Sequence, residues 1–133
     1  MKYMLDTNIC IELIRRRSNK LIQRLTRCQP GEVGVSSITV AGLIFGANKS
    51  NQVGQNLAAL EQFLLPMEIS DFGQPAANAY GAIRARLERE GRAIGSMDTL
   101  IGAHAVSCGT IIVTNNTGEF RRIRGLKVED WSA

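Results

Sequence analysis

The sequence contains few of the residues on which several common kinds of binding site depend. Aromatic residues make up only 5% of the chain, which argues against a sheet that stacks nucleic-acid bases. The chain has one histidine, and its three cysteines are Cys10, Cys28 and Cys108, with no CxxC pair among them. A Cys/His zinc site is therefore not expected, and the cysteines are predicted to be reduced, buried thiols.

Motifs of several enzyme classes are missing as well. The sequence has no GxGxxG after its first predicted strand and no GxxxxGK[ST], so the usual nucleotide-binding loops are absent. A serine or cysteine hydrolase would need His104, which no GxSxG motif accompanies. A haloacid-dehalogenase-like phosphatase would need a second carboxylate two residues after Asp6, where Asn8 stands. We expect His104 to be a packed or a surface histidine rather than a site residue, and Trp131 to be a packing residue.

No apolar run approaches the ~20 residues that a membrane helix needs. The N-terminal segment MKYMLDTNICIELIRRR is interrupted by Asp6 and Glu12 and has no small-residue cleavage site, so it is not typical of a secretory signal. A cytoplasmic protein without membrane contact is expected. The length of 133 residues predicts a single domain, residues 1–133, that hides roughly two-thirds of its unfolded surface.

The net charge is only +4, but the basic residues occur in clusters. The three clusters are Arg15, Arg16, Arg17, Lys20, Arg24 and Arg27; Arg84, Arg86, Arg89 and Arg92; and Arg121, Arg122, Arg124 and Lys127. Any one cluster is compatible with an ordinary solvated face. Together they favour a polyanionic partner.

Short apolar segments alternate with amphipathic helical segments along the chain. Strands are predicted at 2–5, 33–36, 67–70, 110–114 and 126–128. Helices are predicted after residues 6 and 18 and over 37–48, 57–65, 75–90 and 96–108, with a polar turn at 115–118. This alternation predicts an α/β fold, a three-layer α/β/α arrangement with a central, mostly parallel sheet. Ligand sites in such sheets form outside the carboxyl ends of the strands.

Acidic residues stand where the chain leaves a strand or enters a helix. Asp6 follows the first strand, Asp98 lies in the first turn of the helix that starts at 96, and Glu119 follows the last long apolar strand. Each has an ordinary alternative, namely a helix cap, a favourable interaction with the helix dipole, and a surface glutamate. With Asn115 or Asn116 beside them, three carboxylates suit Mg²⁺ or Mn²⁺ rather than zinc.

Four segments of the sequence resemble the PIN domain, and within that family the VapC-type toxins of bacterial VapBC toxin–antitoxin pairs. They are MLDTN at 4–8, SSITVAGLIFGA at 36–47, IGSMDTLIGAHA at 94–105 and TNNTGEF at 114–120, and the final GLKVEDW at 125–131 is similar to the enteric members. They occur in the family's order and spacing and cover essentially the whole chain. The resemblance implies a PIN-like fold and an Mg²⁺- or Mn²⁺-dependent endoribonuclease that cleaves structured RNA, with tRNA as the expected substrate.

The resemblance also implies roles for individual residues. Asp6 and Asp98 match two metal-binding acids of the family. Glu119 or Asn116 falls at its fourth position and would orient the attacking water. The candidates for substrate contact are Thr7 and Asn115. Thr7 has the alternative role of capping the first helix, which we favour.

Residue 42 departs from the family pattern. VapC-type sequences usually carry a glutamate there, one turn into the helix after SSIT, and this chain has Gly42. A glycine inside a helix costs about 1 kcal/mol relative to alanine. One explanation is close helix packing, with Gly46 one turn later. The other, which we expect, is the loss of a catalytic acid and impaired cleavage, either engineered or selected because the intact toxin kills its host.

By resemblance, the protein partner is a cognate VapB-type antitoxin that inserts a C-terminal segment near the active site. A homodimer, or a higher hetero-oligomer with the antitoxin, is also implied. RNA would be bound directly and DNA only through the antitoxin. The alternative function is a non-catalytic module that keeps the surfaces for the antitoxin and for RNA.

Overall fold

One five-stranded sheet runs through the molecule, and the computed structural model describes the whole chain, residues 1–133. The strands are β1 (Tyr3–Leu5), β2 (Val33–Ser36), β3 (Glu68–Ser70), β4 (Ile111–Val113) and β5 (Lys127–Glu129). The helices are α1 (Thr7–Ile14), α2 (Asn19–Thr26), α3 (Ser37–Lys49), α4 (Val53–Leu64), α5 (Gln74–Arg89), α6 (Ser96–Cys108) and α7 (Thr117–Phe120). None of these helices combines the length and the apolar character needed to cross a membrane.

The strand order is β3-β2-β1-β4-β5, and every neighbouring pair is parallel. The central strand β1 is buried on both faces. Tyr3 and Leu5 join one apolar core with residues of α1, α2 and α4, whereas Met4 joins a second core with α5, α6 and α7. Successive side chains of a strand point to opposite faces, so helices cover the sheet on both sides. The predicted three-layer α/β/α arrangement is confirmed.

Most elements begin and end within one or two residues of their predicted bounds. The clearest exception is α4, which begins at Val53 rather than at residue 57. No side chain caps its first turn, so the sequence carries no capping signal there. Part of the predicted turn at 115–118 belongs to the short helix α7. At α3 the N-cap is Ser36, whose hydroxyl accepts the backbone N–H of Ile38 at 3.0 Å.

Trp131 is a packing residue, as predicted, and of the two alternatives for His104 the structure shows the packed one. His104 is 1% exposed and Trp131 is 7% exposed. All three cysteines are free, but only Cys10 is buried, since Cys28 is half-buried and Cys108 is exposed. The prediction of buried thiols is therefore confirmed for Cys10, met only in part by Cys28, and wrong for Cys108, which is the exposed last residue of α6.

Gly102 allows α6 to pack closely against the segment that carries α7. A Cβ atom at residue 102 would overlap with the Cδ1 atom of Ile123 and would lie 3.5 Å from the ring of Phe120. Both neighbours are buried in the same apolar core. The close approach sets the distance between α6 and the residues that immediately follow β4.

Candidate active site

Polar side chains meet at the carboxyl edge of the sheet. Since β1 lies between β2 and β4, Asp6, which directly follows β1, stands at the middle of this edge. Ser36 ends β2 on one side, and Thr114 follows β4 on the other. This is the edge at which the sequence predicts a ligand site.

Asp6 is both the N-cap of α1 and a buried carboxylate. Its Oδ1 atom accepts the backbone N–H of Ile9 at 2.9 Å, and its Oδ2 atom accepts the hydroxyl of Thr114. Burial raises the pKa of Asp6 from 3.8 to about 6; the two hydrogen bonds act against this rise, and the negative charge of Asp98 adds to it. Thr7 is not the cap, contrary to our preference, because it is the first residue inside the helix.

Asp98 lies in the first turn of α6, close enough for its charge to raise the pKa of Asp6. Burial also raises the pKa of Asp98 itself. A hydrogen bond from Asn116 lowers that pKa, and the negative charge of Glu119 raises it. The N-cap of α6 is Gly95, which has no side chain to satisfy the helix N-terminus. The carboxylate of Asp98 is the acidic group that complements this end of the helix dipole.

Asn116 connects two of the carboxylates. Its Nδ2 atom donates to Asp98 Oδ2 at 3.3 Å and to Glu119 Oε2 at 2.7 Å. All three side chains are half-buried. The structure thus brings together four of the predicted site residues, namely Asp6, Asp98, Asn116 and Glu119.

Asn115 does not join this group. Its side chain is exposed, and its Oδ1 atom accepts the hydroxyl of Ser132 at 2.7 Å. The next residue, Asn116, contacts the carboxylates, whereas Asn115 contacts the C-terminal segment. Its predicted contact with substrate stays a prediction.

Gly42 lies on α3 in open space beside α1. A Cβ atom at residue 42 would meet only the Cγ2 atom of Thr7, at 3.9 Å, and one at Gly46 would meet nothing within 4 Å. Close helix packing therefore does not explain either glycine. Residue 42 also lines a cavity of about 200 Å³ between α1, α3 and α4. A larger side chain can be accommodated there, next to the residue that follows Asp6.

The open space at residue 42 predicts the effect of a small substitution on stability. Gly42→Ala is expected to raise the free energy of unfolding by about 0.5–1 kcal/mol, because alanine loses less backbone entropy on folding. Gly102→Ala is the matched control and should lower it by about 1–3 kcal/mol, because the new methyl group collides with buried Ile123. Urea denaturation measures both changes. A destabilised Gly42→Ala variant would restore the packing explanation.

Thr114 is a site residue to which sequence reasoning assigns no role. It is fully buried, its hydroxyl donates to Asp6 Oδ2, and its Oγ1 atom accepts the backbone N–H of Asn116 at 2.9 Å. The one feature of the sequence that could have identified Thr114 is its position: it is a polar residue directly after a buried apolar strand, at the carboxyl edge of the sheet.

His104 fixes α6 to the ends of two strands. Its Nδ1 atom lies 2.7 Å from Ser36 Oγ, and its Nε2 atom lies 3.1 Å from Ser70 Oγ. Each ring nitrogen thus has a hydroxyl partner, and the Ser36 hydroxyl also accepts a backbone N–H of α3. Burial lowers the pKa of His104, and Asp71 opposes that shift. The lowered pKa favours the neutral imidazole, which connects α6 to the ends of β2 and β3.

The carboxylates have the chemistry that a hard divalent cation requires. No ion pair in the structure involves Asp6, Asp98 or Glu119, so their charges lack a counter-charge. Carboxylate oxygens are preferred ligands of Mg²⁺ and Mn²⁺. However, no group of three histidine, cysteine, aspartate or glutamate side chains is placed to hold a metal. The oxygen atoms present are thus of the kind that binds such an ion, but few of them are placed together.

Comparison with known proteins assigns the chain to a family. Residues 3–126 match the PIN domain. The chain is 46% identical over 132 residues to the tRNA(fMet)-specific endonuclease VapC of Shigella flexneri, covering 99% of each chain. It is 44% identical over 131 residues to ribonuclease VapC2 of Haemophilus influenzae, covering 98% of each.

Solved structures give the same result. The DNA-bound VapBC complex of Salmonella typhimurium contains a chain that matches with a TM-score of 0.94 at 42% identity, covering 98% of both chains. VapBC2 of Rickettsia felis, bound to a promoter DNA fragment, matches with a TM-score of 0.93 at 39% identity, covering 98% of this chain and 99% of the other. The chain therefore belongs to the PIN-domain family and, within it, to the VapC-type toxins.

Proposed function

We propose that this VapC-type toxin is a metal-dependent endoribonuclease of structured RNA whose activity is impaired at residue 42. The observation that carries the proposal is the pair Asp6 and Asp98, two coupled carboxylates at the carboxyl edge of the sheet without a cationic partner. Carboxylates in this arrangement repel each other and favour a bound cation.

Each residue of the site has a role in this proposal. Asp6 and Asp98 would hold Mg²⁺ or Mn²⁺, which when bound would neutralise the scissile phosphate and acidify the attacking water. The backbone N–H of Ile9 and the hydroxyl of Thr114 fix both oxygens of Asp6. Glu119 uses Oε2 for the bond from Asn116, which leaves Oε1 to orient the attacking water.

The proposed impairment follows from what residue 42 lacks. Gly42 provides no ligand and no base, although the space beside Thr7 would accommodate a longer side chain. The absence of any group of three potential metal ligands is consistent with a missing acid. Loss of one participant in acid–base or metal chemistry slows a reaction by about 10²–10⁴-fold.

The substrate we propose is tRNA, the RNA that the name of the Shigella flexneri relative specifies. Two exposed arginines lie near the proposed site. Arg121 comes two residues after Glu119 in the sequence, and Arg15 lines the same cavity as Gly42. Ion pairs partly neutralise the second cluster, through Arg84 and Arg86, and also the first, through Arg17 and Arg24. Phosphate contacts are therefore expected mainly from Arg15 and from the third cluster, which form no ion pairs.

The protein partner we propose is a VapB-type antitoxin, since the matching solved structures are VapBC complexes. The cavity beside residue 42 has apolar walls from Ile11, Ile14 and Leu43. An inserted antitoxin segment would bury its apolar side chains there. A homodimer of the toxin, assembly into a hetero-oligomer, contact with DNA only through the antitoxin, and a cytoplasmic location complete the proposal.

Cleavage of folded tRNA in the presence of Mn²⁺ tests the proposed activity. We expect slow cleavage by this chain that EDTA abolishes and that the Asp98→Asn variant lacks, because both treatments remove the cation site. Gel analysis of end-labelled tRNA measures the rate. Cleavage that survives in the Asp98→Asn variant would identify a contaminant or a different active site. If neither this chain nor a Gly42→Glu variant cuts any RNA, the non-catalytic module, which the sparse donor set also favours, becomes the better interpretation.

A further inference from the structure

Asn116 stands at the junction of all three site carboxylates. Its side-chain amide donates to Asp98 and to Glu119, and its backbone N–H donates to the Thr114 hydroxyl, which in turn donates to Asp6. A single residue is thus connected to each acid, either directly or through one hydroxyl group.

We propose that Asn116 is a positioning residue that holds Asp98 and Glu119 side by side and thereby orients Asp98 toward the cation that it shares with Asp6. This inference rests on the proposed function, since it describes how the nuclease site is kept in place. In this role Asn116 is not itself a ligand of the cation. It acts through the two carboxylates that it joins.

The count of hydrogens supports this role. The amide of Asn116 has two hydrogens on Nδ2, and each finds one carboxylate. The opposite orientation of the amide would place Oδ1 against two carboxylates, so the acceptors fix the orientation. The Thr114 hydroxyl has a single hydrogen. Because its oxygen accepts the N–H of Asn116, that hydrogen is given to Asp6.

The usual structural role of such an asparagine does not apply. Asn116 is the N-cap of α7, a position at which asparagine commonly accepts a backbone N–H of the helix. Here its side chain makes no such cap bond. Both side-chain bonds go to carboxylates instead, so the residue serves the site rather than the helix.

The charge of the site explains why an amide suits this position. Asp98 and Glu119 are close enough for the charge of Glu119 to raise the pKa of Asp98, and the bond from Asn116 opposes that shift. A neutral amide donates a hydrogen bond to each carboxylate and adds no charge of its own, so both negative charges remain available to a cation. An aspartate in its place would add a further negative charge and no donor.

Side-chain amide NMR of the protein in EDTA tests the contacts. We expect the two Nδ2 hydrogens of Asn116 to resonate apart from those of exposed amides, with one shifting in Glu119→Gln and the other in Asp98→Asn. Amide resonances of Asn116 that match those of exposed asparagines, or that respond to neither variant, would overturn the proposal without affecting the proposed function.

Mn²⁺ affinity, measured by calorimetry or by electron paramagnetic resonance of the free ion, tests the positioning. Asn116→Ala is expected to weaken binding by about 10–100-fold, as for other residues that orient metal ligands. Glu119→Gln should weaken binding in this chain, because Glu119 helps to hold the Asn116 amide that orients Asp98, and it should add little in the Asn116→Ala background. Asn78→Ala, which removes an exposed asparagine of α5, should leave the affinity unchanged.

The outcomes separate the two proposals. Additive losses from Asn116→Ala and Glu119→Gln would overturn the positioning role, while the nuclease proposal would stand. Absence of Mn²⁺ binding by both this chain and its Gly42→Glu variant would overturn the proposed function and, with it, this role.

Discussion

A glutamate introduced at residue 42 is expected to increase the rate of tRNA cleavage by about 10²–10⁴-fold. The structure leaves open space at this position, where a Cβ atom would contact only Thr7, at 3.9 Å. Gly42→Glu would therefore add a carboxylate near Thr7, the residue that follows Asp6, with a Cβ atom that displaces no packed atom and a cavity beside it. The added acid would supply the metal ligand or base that this chain lacks. Single-turnover cleavage of folded tRNA in Mn²⁺ measures the gain.

Two control variants separate the effect of the acid from other effects of the substitution. Gly42→Gln has nearly the same shape and helix propensity without the charge, and it should remain close to the rate of the natural chain. Gly46→Glu adds a glutamate one turn later on the same helix, at another position without close neighbours, and tests for a general effect of negative charge. Equal rates for Gly42 and Gly42→Glu, both abolished by Asp98→Asn, would show that residue 42 has no catalytic role.

Most of the fold could be predicted from local patterns. β1, β2 and β4 are short apolar runs buried on both faces, which is the pattern of interior parallel strands. The helices between them carry apolar stripes and recognisable ends. Prediction from the sequence is wrong where those local signals are absent. One such place is the start of α4 at Val53, which has no capping side chain. The other is α7, whose four residues are too few to show the periodicity of a helix.

The site could be predicted less completely than the fold. Topology alone brings Asp6 to the carboxyl edge of the sheet, and the motifs that resemble the family select Asp98 and Glu119 from the other acids. The contacts between them depend on tertiary packing. Gly102 lets α6 approach Phe120, and no pattern in the sequence indicates that approach. The connecting role of Thr114 follows only from the placement of β4 beside β1.

The stability of the protein in EDTA is expected to fall, relative to that of the Asp6→Asn variant, as the pH rises from about 4 to about 6. The physical reason is burial, which raises the pKa of Asp6 from 3.8 to about 6 despite hydrogen bonds from Thr114 and Ile9. Below pH 3.8 the carboxyl is protonated in both the folded and the unfolded states. At intermediate pH the folded state retains a proton that the unfolded state has lost. Unfolding therefore becomes easier as the pH rises.

The shift of about two pH units in the pKa of Asp6 corresponds to roughly 3 kcal/mol in the free energy of unfolding. Urea denaturation of the natural chain and of Asp6→Asn at a series of pH values measures this difference. It should grow between pH 4 and pH 6 and stay constant above. Glu61→Gln, which removes an exposed carboxylate of α4, is the control and should change the profile little. Parallel profiles for the natural chain and Asp6→Asn would contradict the prediction.

A divalent cation should reverse this loss of stability. If Asp6 and Asp98 hold the ion, binding favours their ionised forms, so added Mn²⁺ should stabilise the natural chain most at pH 7 and least near pH 4. The Asp6→Asn variant should gain less at every pH, because it retains only one of the two anionic ligands. Stabilisation by Mn²⁺ that is equal in both chains would place the ion elsewhere. Burial of the Asp6 carboxylate without a counter-charge destabilises the folded chain at neutral pH. The same burial would thus favour the binding of a cation.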